Sequence, residues 1–333
     1  MKFLVVGLGS MGKRRVRNLL ALGYKDIAGF DPREDRRAEA QTKYGIVTHA
    51  VFDAAVGALR PDALIISTSP EHHMNYAWAG FERGLPCFIE ASVVDPDRIL
   101  ELHRRSADTP ILIAPSCTMR YFPGPKKVKE LVRSGAIGRP LNINYQTGQY
   151  LPDWHPWEKI EDFYVSARAT GAGREIVPFE LTWLNDIFGK PEPLACVKAK
   201  LTDMNADIDD IYHSLLRYPG PVLANVTVEV ISRPKATREL RVLGSEGEIV
   251  FSGEEKCVRH AHTGAPDWVR FDFGGGTVEN NYINPEEPYI AEMRDFVEAV
   301  KTGDKSRFPN TLLDDYEVLQ TLGRLEQLSE GKR

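Results

Sequence analysis

Cysteine is scarce. The 333 residues contain four, Cys87, Cys117, Cys196 and Cys257, and no Cys-x-x-Cys pair. This speaks for free thiols in a reducing compartment rather than a disulfide framework. Long apolar runs are also missing, and no stretch approaches the roughly 20 residues of a membrane span. The short run Met1–Val6 is broken at once by Gly7 and Gly9, with no signal-peptide cleavage pattern, so the expected location is cytoplasmic. There is no excess of positive charge: 42 Lys and Arg against 47 Asp and Glu give a net charge of −5. Without a basic run, the chain is a poor partner for nucleic acid or a membrane surface. Internal repeats and low-complexity segments are absent, and Gly (27) and Pro (22) are too few for a fibrous or disordered chain. What remains is an ordinary globular composition, 42% hydrophobic and 27% charged. At roughly 150 residues per domain, the length suits two domains.

The first third alternates short apolar runs with helical patterns. Phe3–Val6, Ile27–Phe30, Ala63–Ser67, Cys87–Ile89 and Ile111–Ala114 read as buried strands. Lys13–Leu22, Arg33–Tyr44 and Met74–Arg83 read as helices between them. Such alternation predicts a parallel sheet with right-handed crossovers. After Ser116 the pattern changes. A helix is predicted over Pro125–Arg133, then longer alternating strands: Leu141–Gln149, Leu194–Leu201, Tyr212–Tyr218, Val222–Ile231, Glu239–Leu243 and Glu248–Phe251. Helices recur at Glu175–Phe188, Tyr289–Lys301 and Thr311–Leu328. The expected fold is α/β: a Rossmann domain over 1–117, and an α/β domain over 118–333 with a large, mostly antiparallel open sheet. The C-terminal helix (311–330) is expected to pack back on the first domain. An antiparallel sheet with an apolar outer face needs covering, which predicts a homo-oligomer, a dimer or tetramer.

Gly7-Leu8-Gly9-Ser10-Met11-Gly12 is G-x-G-x-x-G between a predicted strand and a predicted helix. The first glycine permits the tight turn, the second lets backbone approach a pyrophosphate, and the third lets helix and strand pack closely. The helix start then offers its amides to the anion. Asp31 ends the second strand, 19 residues after Gly12, close to the spacing of a ribose-binding acid. Its carboxylate would accept the ribose hydroxyls and repel a 2′-phosphate, so NAD is expected over NADP. Arg33 is the counter-signal, because an arginine just past the second strand can hold a 2′-phosphate.

With these features the chain resembles the glucose–fructose oxidoreductase/inositol dehydrogenase (Gfo/Idh/MocA) family over nearly its whole length. The resemblance rests on Gly7–Gly12, Ser67-Thr-Ser-Pro-Glu-His-His73, Met119-Arg-Tyr-Phe-Pro-Gly-Pro-Lys-Lys127 leading to Ser134–Gly138, and Gly171-Ala-Gly173 before a helix. Gly148–Trp157 looks like members that cluster with sugar and surface-polysaccharide biosynthesis. The resemblance implies reversible hydride transfer at a sugar or polyol carbinol carbon. It also implies that Thr68, Pro70 and His73, or His72 in its stead, lie along the cofactor, with Glu90 near the nicotinamide ribose. The sequence departs from the family where Ala91 and Ser92 take the lysine and proline of Glu-Lys-Pro. It departs again where Glu175 and Phe179 take the usual aspartate and histidine.

Alcohol oxidation needs a base for the hydroxyl proton. Glu175 is the surviving acid/base candidate; a first-turn acid favoured by the helix dipole is the plainer reading. Burial would raise its pKa, and Arg174 beside it would oppose the rise. Tyr164 and His155 are candidate relays, and Lys126 or Lys127 could stand in for the missing lysine. Trp154 and Trp157 could stack on a sugar face, and Arg168 could bind a carboxylate or phosphate. Each also suits an exposed loop or helix face. Cys257-x-x-His260-x-His262 offers three metal-ligand types but no second cluster, so no metal is expected. The expected activity is thus an NAD(H)-dependent oxidoreductase for a sugar, nucleotide sugar or polyol with a non-standard acid/base set. The alternatives are a catalytically quiet NAD-binding sensor, or an NAD-assisted lyase or hydrolase.

Overall fold

The computed structural model describes residues 1–154, 159–220, 222–280 and 282–331. The chain forms two units. The first comprises Met1–Thr118 and Glu286–Tyr316; the second comprises Met119–Pro285 and Glu317–Arg333.

The first unit alternates β1 (Phe3–Val6), α1 (Ser10–Ala21), β2 (Ile27–Phe30), α2 (Glu34–Tyr44), β3 (Val47–His49), α3 (Phe52–Leu59), β4 (Ala63–Ile66), α4 (Pro70–Glu82), β5 (Cys87–Ile89), α5 (Pro96–Ser106) and β6 (Ile113–Pro115). The strands pair in the order β3-β2-β1-β4-β5-β6, all parallel. Every residue of β1, β2 and β4 is buried. This is why these strands read as unbroken apolar runs: helices cover both faces of such a sheet. The order reverses between β1 and β4, the switch point where α/β folds place ligands at the carboxyl ends of strands. Proline occupies the first position of α4 and α5, where its missing N–H costs no helical bond.

In the second unit α6 (Pro123–Arg133), β7 (Pro140–Gly148) and α7 (Gly173–Phe188) precede β8 (Glu192–Ala199), β9 (Ile211–Tyr218), β10 (Val222–Glu229), β11 (Thr237–Gly244), β12 (Gly247–Ser252), β13 (Cys257–His262) and β14 (Ala265–Asp272). The eight strands pair in the order β14-β13-β12-β11-β7-β10-β9-β8. All neighbours are antiparallel except β7 and β10. Along β9 Tyr212, Ser214, Leu216 and Tyr218 are buried while His213, Leu215 and Arg217 are exposed. One face is therefore core and the other outward. The chain closes with α8 (Glu287–Thr302) and α9 (Leu312–Glu330).

The domain division differs from the one read in the sequence. Residues 118–333 do not form one continuous domain, because Glu286–Tyr316, with α8, groups with the first unit. The Glu286 carboxylate explains this: it accepts hydrogen bonds from Arg14, Arg17 and Asn18 of α1. The last helix divides too, its start grouping with the first unit and the stretch from Glu317 with the second. Five elements carried no clear sequence signal. In α5 the buried stripe is only Ile99, Leu102 and Ser106. In α3 only Ala55 is buried, and β3 has no buried residue. The edge strand β14 is almost wholly exposed, so it lacks alternation, and β13 alternates only weakly.

Candidate active site

In the first unit the loop between β1 and α1 depends on absent side chains. Gly7 has φ +91°, and a Cβ there would lie 2.6 Å from the Ser67 carbonyl oxygen. A Cβ on Gly12 would lie 1.9 Å from the Gly7 carbonyl oxygen. At Gly9 a Cβ would meet only the Arg36 guanidinium, at 3.5 Å, leaving its backbone open to a ligand. The first helical bond runs from the Lys13 N–H to the Gly9 carbonyl, so the Ser10, Met11 and Gly12 amides stand ahead of the helical ladder. Asp31 is buried at the end of β2. Its Oδ2 accepts the Leu8 amide and its Oδ1 the Arg33 amide. The Arg33 side chain is exposed and paired with Asp35. Arg36, which the sequence reading passed over, lies 3.9 Å from Asp31 Oδ2 and borders the glycine loop at Gly9.

At the end of β4, Thr68 and His73 face each other, with His73 Nε2 2.9 Å from the Thr68 carbonyl oxygen. Burial lowers the His73 pKa, so the ring is neutral. Among the described residues Thr68 Oγ1 and His73 Nδ1 have no hydrogen-bond partner. Pro70 opens α4 between them, and His72 lies exposed on the same helix. Glu90, just past β5, is gripped by Arg15: Nε to Oε1 at 2.6 Å and Nη2 to Oε2 at 3.0 Å. The Ser67 hydroxyl approaches the same carboxylate at 3.3 Å. Arg15 is wholly buried and also pairs with Glu292 of α8. Burial alone would lower the Arg15 pKa, but the two carboxylates raise it. Sequence reasoning missed Arg15 and Glu292. The available signal was a charge four residues before Leu19, on the buried stripe of α1. A glycine cradle, leading amides and two orphaned buried polar atoms fit a dinucleotide.

In the second unit the turn before α7 is equally tight. A Cβ on Gly171 would lie 1.9 Å from the Val165 carbonyl oxygen, and Ala172 has φ +55°. Non-glycine residues held at positive φ concentrate at functional sites. Glu175 follows in the first turn of α7, and the Tyr164 hydroxyl donates to its Oε1 at 2.7 Å. The other oxygen, Oε2, is buried and without a partner among the described residues. Burial raises the Glu175 pKa to about 7; the Tyr164 bond opposes the rise without cancelling it. Arg174 does not resist the shift as expected. It turns away to Glu326 and the Ala169 carbonyl. Tyr164 and Trp154 pack on one apolar cluster built from Leu151, Val165, Ala172, Ala206, Ile208 and Val230. The Trp154 indole Nε1 is buried there with no partner among the described residues.

Other expected residues are placed elsewhere. Lys126 is exposed, its ammonium 5.2 Å from the Tyr121 ring centre, and Lys127 pairs with Glu130. Arg168 is committed to Asp207 and Asp209 at 2.7 and 2.8 Å, so its guanidinium serves the loop it sits in. Glu180 is fully buried with Arg238, Tyr145 and Trp183. His260 stacks on Phe271, while His262 approaches Glu246 at 3.1 Å. His155 and Trp157 lie outside the described residues.

Two family models match this chain. One, described as an oxidoreductase family with an NAD-binding Rossmann fold, covers residues 1–102. The other, a GFO/IDH/MocA C-terminal domain, covers residues 126–250. An inositol 2-dehydrogenase of Streptomyces avermitilis is 32% identical over 152 residues, which are 42% of this chain and 42% of that protein. A second relative, inositol 2-dehydrogenase 3 of Saccharopolyspora erythraea, is 30% identical over 143 residues, 41% and 42% of the two chains. These matches thus span about two-fifths of the relatives' length. Among solved structures, levoglucosan dehydrogenase with NADH and levoglucosan aligns over 100% of this chain and 98% of its own. Its TM-score is 0.85 at 16% identity. An Agrobacterium radiobacter oxidoreductase in complex with NAD+, L-tartaric acid and magnesium aligns over 100% and 97%, with TM-score 0.84 at 14% identity. Both share the fold. The first unit is an NAD-binding Rossmann domain, and the chain belongs to the GFO/IDH/MocA oxidoreductase family.

Proposed function

We propose that the protein is an NAD(H)-dependent dehydrogenase or reductase acting at a carbinol or keto carbon of a sugar, nucleotide sugar or polyol, with Glu175 as its acid/base. The carrying observation is the Glu175 carboxyl: one oxygen held by Tyr164, the other buried and unpartnered, and a pKa near 7. A base poised near neutrality combines a useful deprotonated fraction with a useful drive to take a proton. In this reading Oε2 takes the substrate hydroxyl proton during oxidation and returns it during reduction. The Tyr164 hydroxyl fixes the orientation of the carboxyl by holding Oε1. Trp154 offers an apolar face to the sugar ring. The family lysine and histidine, replaced by Ala91 and Phe179, are not needed for this proton transfer.

The glycine loop, Asp31, Thr68, His73 and Glu90 would hold the cofactor, with Asp31 favouring NAD over NADP. When bound, NAD+ supplies the hydride acceptor. Relatives named for inositol, and fold neighbours named for levoglucosan and UDP-N-acetylglucosamine, motivate the substrate class. The exposed apolar residues Val197, Leu215, Leu223 and Leu243 support self-association through the outer face of the large sheet. The test is a panel of polyols, neutral sugars, sugar acids and nucleotide sugars, with NAD+ and recombinant protein. Growth of the reduced-nicotinamide absorbance with at least one member supports the reading. Tight NAD+ binding with no turnover of any member would overturn it in favour of a cofactor-binding sensor.

A further inference from the structure

Arg168 was the expected anion binder, but its charge is spent on Asp207 and Asp209. The neighbouring cations of this unit are spent likewise: Arg174 on Glu326, Lys198 on Asp209, Arg238 on Glu180 and Lys235 on Glu254. Arg233 differs. Among the described residues its guanidinium has no acid or carbonyl partner. Its Cζ lies over a ring instead, 3.3 Å from the centre of Tyr150.

The loop that carries Arg233 is built. Glu229, buried at the end of β10, accepts the Ile231 and Ser232 amides at 2.6 and 2.8 Å, and the Ser232 hydroxyl as well. That carboxylate fits only because residue 148 is glycine; a Cβ there would lie 1.6 Å from Glu229 Oε1. Two residues after Gly148 comes Tyr150, the ring under Arg233. Tyr150 immediately precedes Leu151, whose amide donates to the Val230 carbonyl; both belong to the apolar cluster that packs Trp154 and Tyr164. Gly148, Glu229, Tyr150 and Arg233 are therefore joined through Leu151 and Val230 to the cluster on which Tyr164, the partner of Glu175, packs. The ring supports the guanidinium, and no acid or carbonyl among the described residues takes up its N–H groups. A preoriented fork of this kind matches carboxylate and phosphate oxygens in pairs.

We propose that Arg233, stacked on Tyr150, is an anion-recognition residue, and that the physiological substrate is a sugar bearing a carboxylate or a phosphate. This rests on the dehydrogenase reading for the reaction, but the binding claim stands apart from turnover. Exposed, cation–π-held arginines gain little for folding on their own, so a merely structural latch predicts a different experimental outcome.

The experiment titrates D-glucuronate, D-galacturonate and D-glucose 6-phosphate against D-glucose and myo-inositol into NADH-loaded full-length protein by calorimetry, in wild type, Arg233→Gln, Arg233→Lys and Tyr150→Leu. Wild type is expected to prefer an acidic ligand over its neutral counterpart. Arg233→Gln should erase that preference by about 10- to 100-fold in Kd, the range of a charge-assisted bidentate pair. Arg233→Lys should restore only part of it, and Tyr150→Leu should weaken it through lost preorientation. In turnover, the loss should fall on KM for the acid rather than on kcat. The uronates and the phosphate separate the two anion sources. Equal Kd values for acidic and neutral ligands in wild type would overturn the proposal, as would an unchanged preference in Arg233→Gln. Acid binding without turnover would leave the Arg233 assignment standing and sink the dehydrogenase reading instead.

Discussion

The cofactor cradle of the first unit and the Glu175 site of the second are built from opposite materials. The cradle is made of backbone: amides, a carbonyl 2.6 Å from where a Gly7 Cβ would sit, and glycines that keep space clear. The Glu175 site has no such backbone cradle and rests on side chains alone, a carboxyl oxygen and an indole nitrogen without partners among the described residues, whereas the first unit adds Thr68 Oγ1 and His73 Nδ1 to its backbone. Backbone sites bind phosphates and sugars of fixed geometry, whatever the substrate. Orphaned side-chain atoms cost about 1–3 kcal/mol each when unsatisfied, so they specify a ligand that must bring its own donors and acceptors. On the proposed assignment the first site serves the cofactor and the second the substrate.

The sharpest break in that comparison is Glu175→Gln. It should leave NAD affinity unchanged and cut turnover by about 10²–10⁴, as loss of a general base does. Calorimetry and initial rates on the same preparation check both halves. Retained turnover would make Glu175 a helix-start acid and nothing more.

The converse break is Gly12→Ala. The added methyl lands 1.9 Å from the Gly7 carbonyl oxygen, and loop backbone must move. NAD affinity should fall by about 10- to 100-fold, as strain of roughly 1–3 kcal/mol implies. The Glu175 pKa should not move.

Asp31→Ala sharpens the cradle's selectivity. With the buried carboxylate gone, the NAD over NADP preference should drop by about tenfold, the equivalent of one lost charge-assisted bond. Arg36 near the glycine loop would then favour the 2′-phosphate. Parallel titrations with both cofactors decide it.

A further expected effect concerns pH. A folded pKa near 7 against an unfolded value of about 4.3 means the folded state holds the Glu175 proton more tightly. Its stabilising contribution is complete below about pH 4 and lost as pH rises through 7. Glu175→Gln should therefore raise stability at pH 8 by up to about 3–4 kcal/mol, read from urea unfolding, with no gain at pH 4. An equal gain at both pH values would show that the carboxyl is not protonated on folding.

This contrast also governs what the sequence could show. Gly7, Gly9, Gly12 and Asp31 announce the cradle because spacing alone dictates backbone geometry. The β1, β2 and β4 runs announce the parallel sheet because both faces are buried. Arg15 and Glu292 stayed hidden, since they lie 277 positions apart and nothing local marks the pairing. For the same reason α8 was assigned to the wrong unit. Glu175 was visible as a residue, but its protonation state depends on burial, which composition does not encode. Arg168 was legible as a candidate loop arginine, while Arg233 carried no signal of its own. Only the structure shows Asp207 and Asp209 holding the first and Tyr150 supporting the second.

The most direct test of the Glu175 assignment needs no substrate: a carbon-13 carboxyl titration of the wild-type protein, with the Glu175 signal identified by its loss in Glu175→Gln. The expected midpoint is near pH 7, moving upward in Tyr164→Phe because the lost hydrogen bond no longer favours the charged form. A midpoint near the ordinary glutamate value of about 4.3, indifferent to Tyr164, would contradict it.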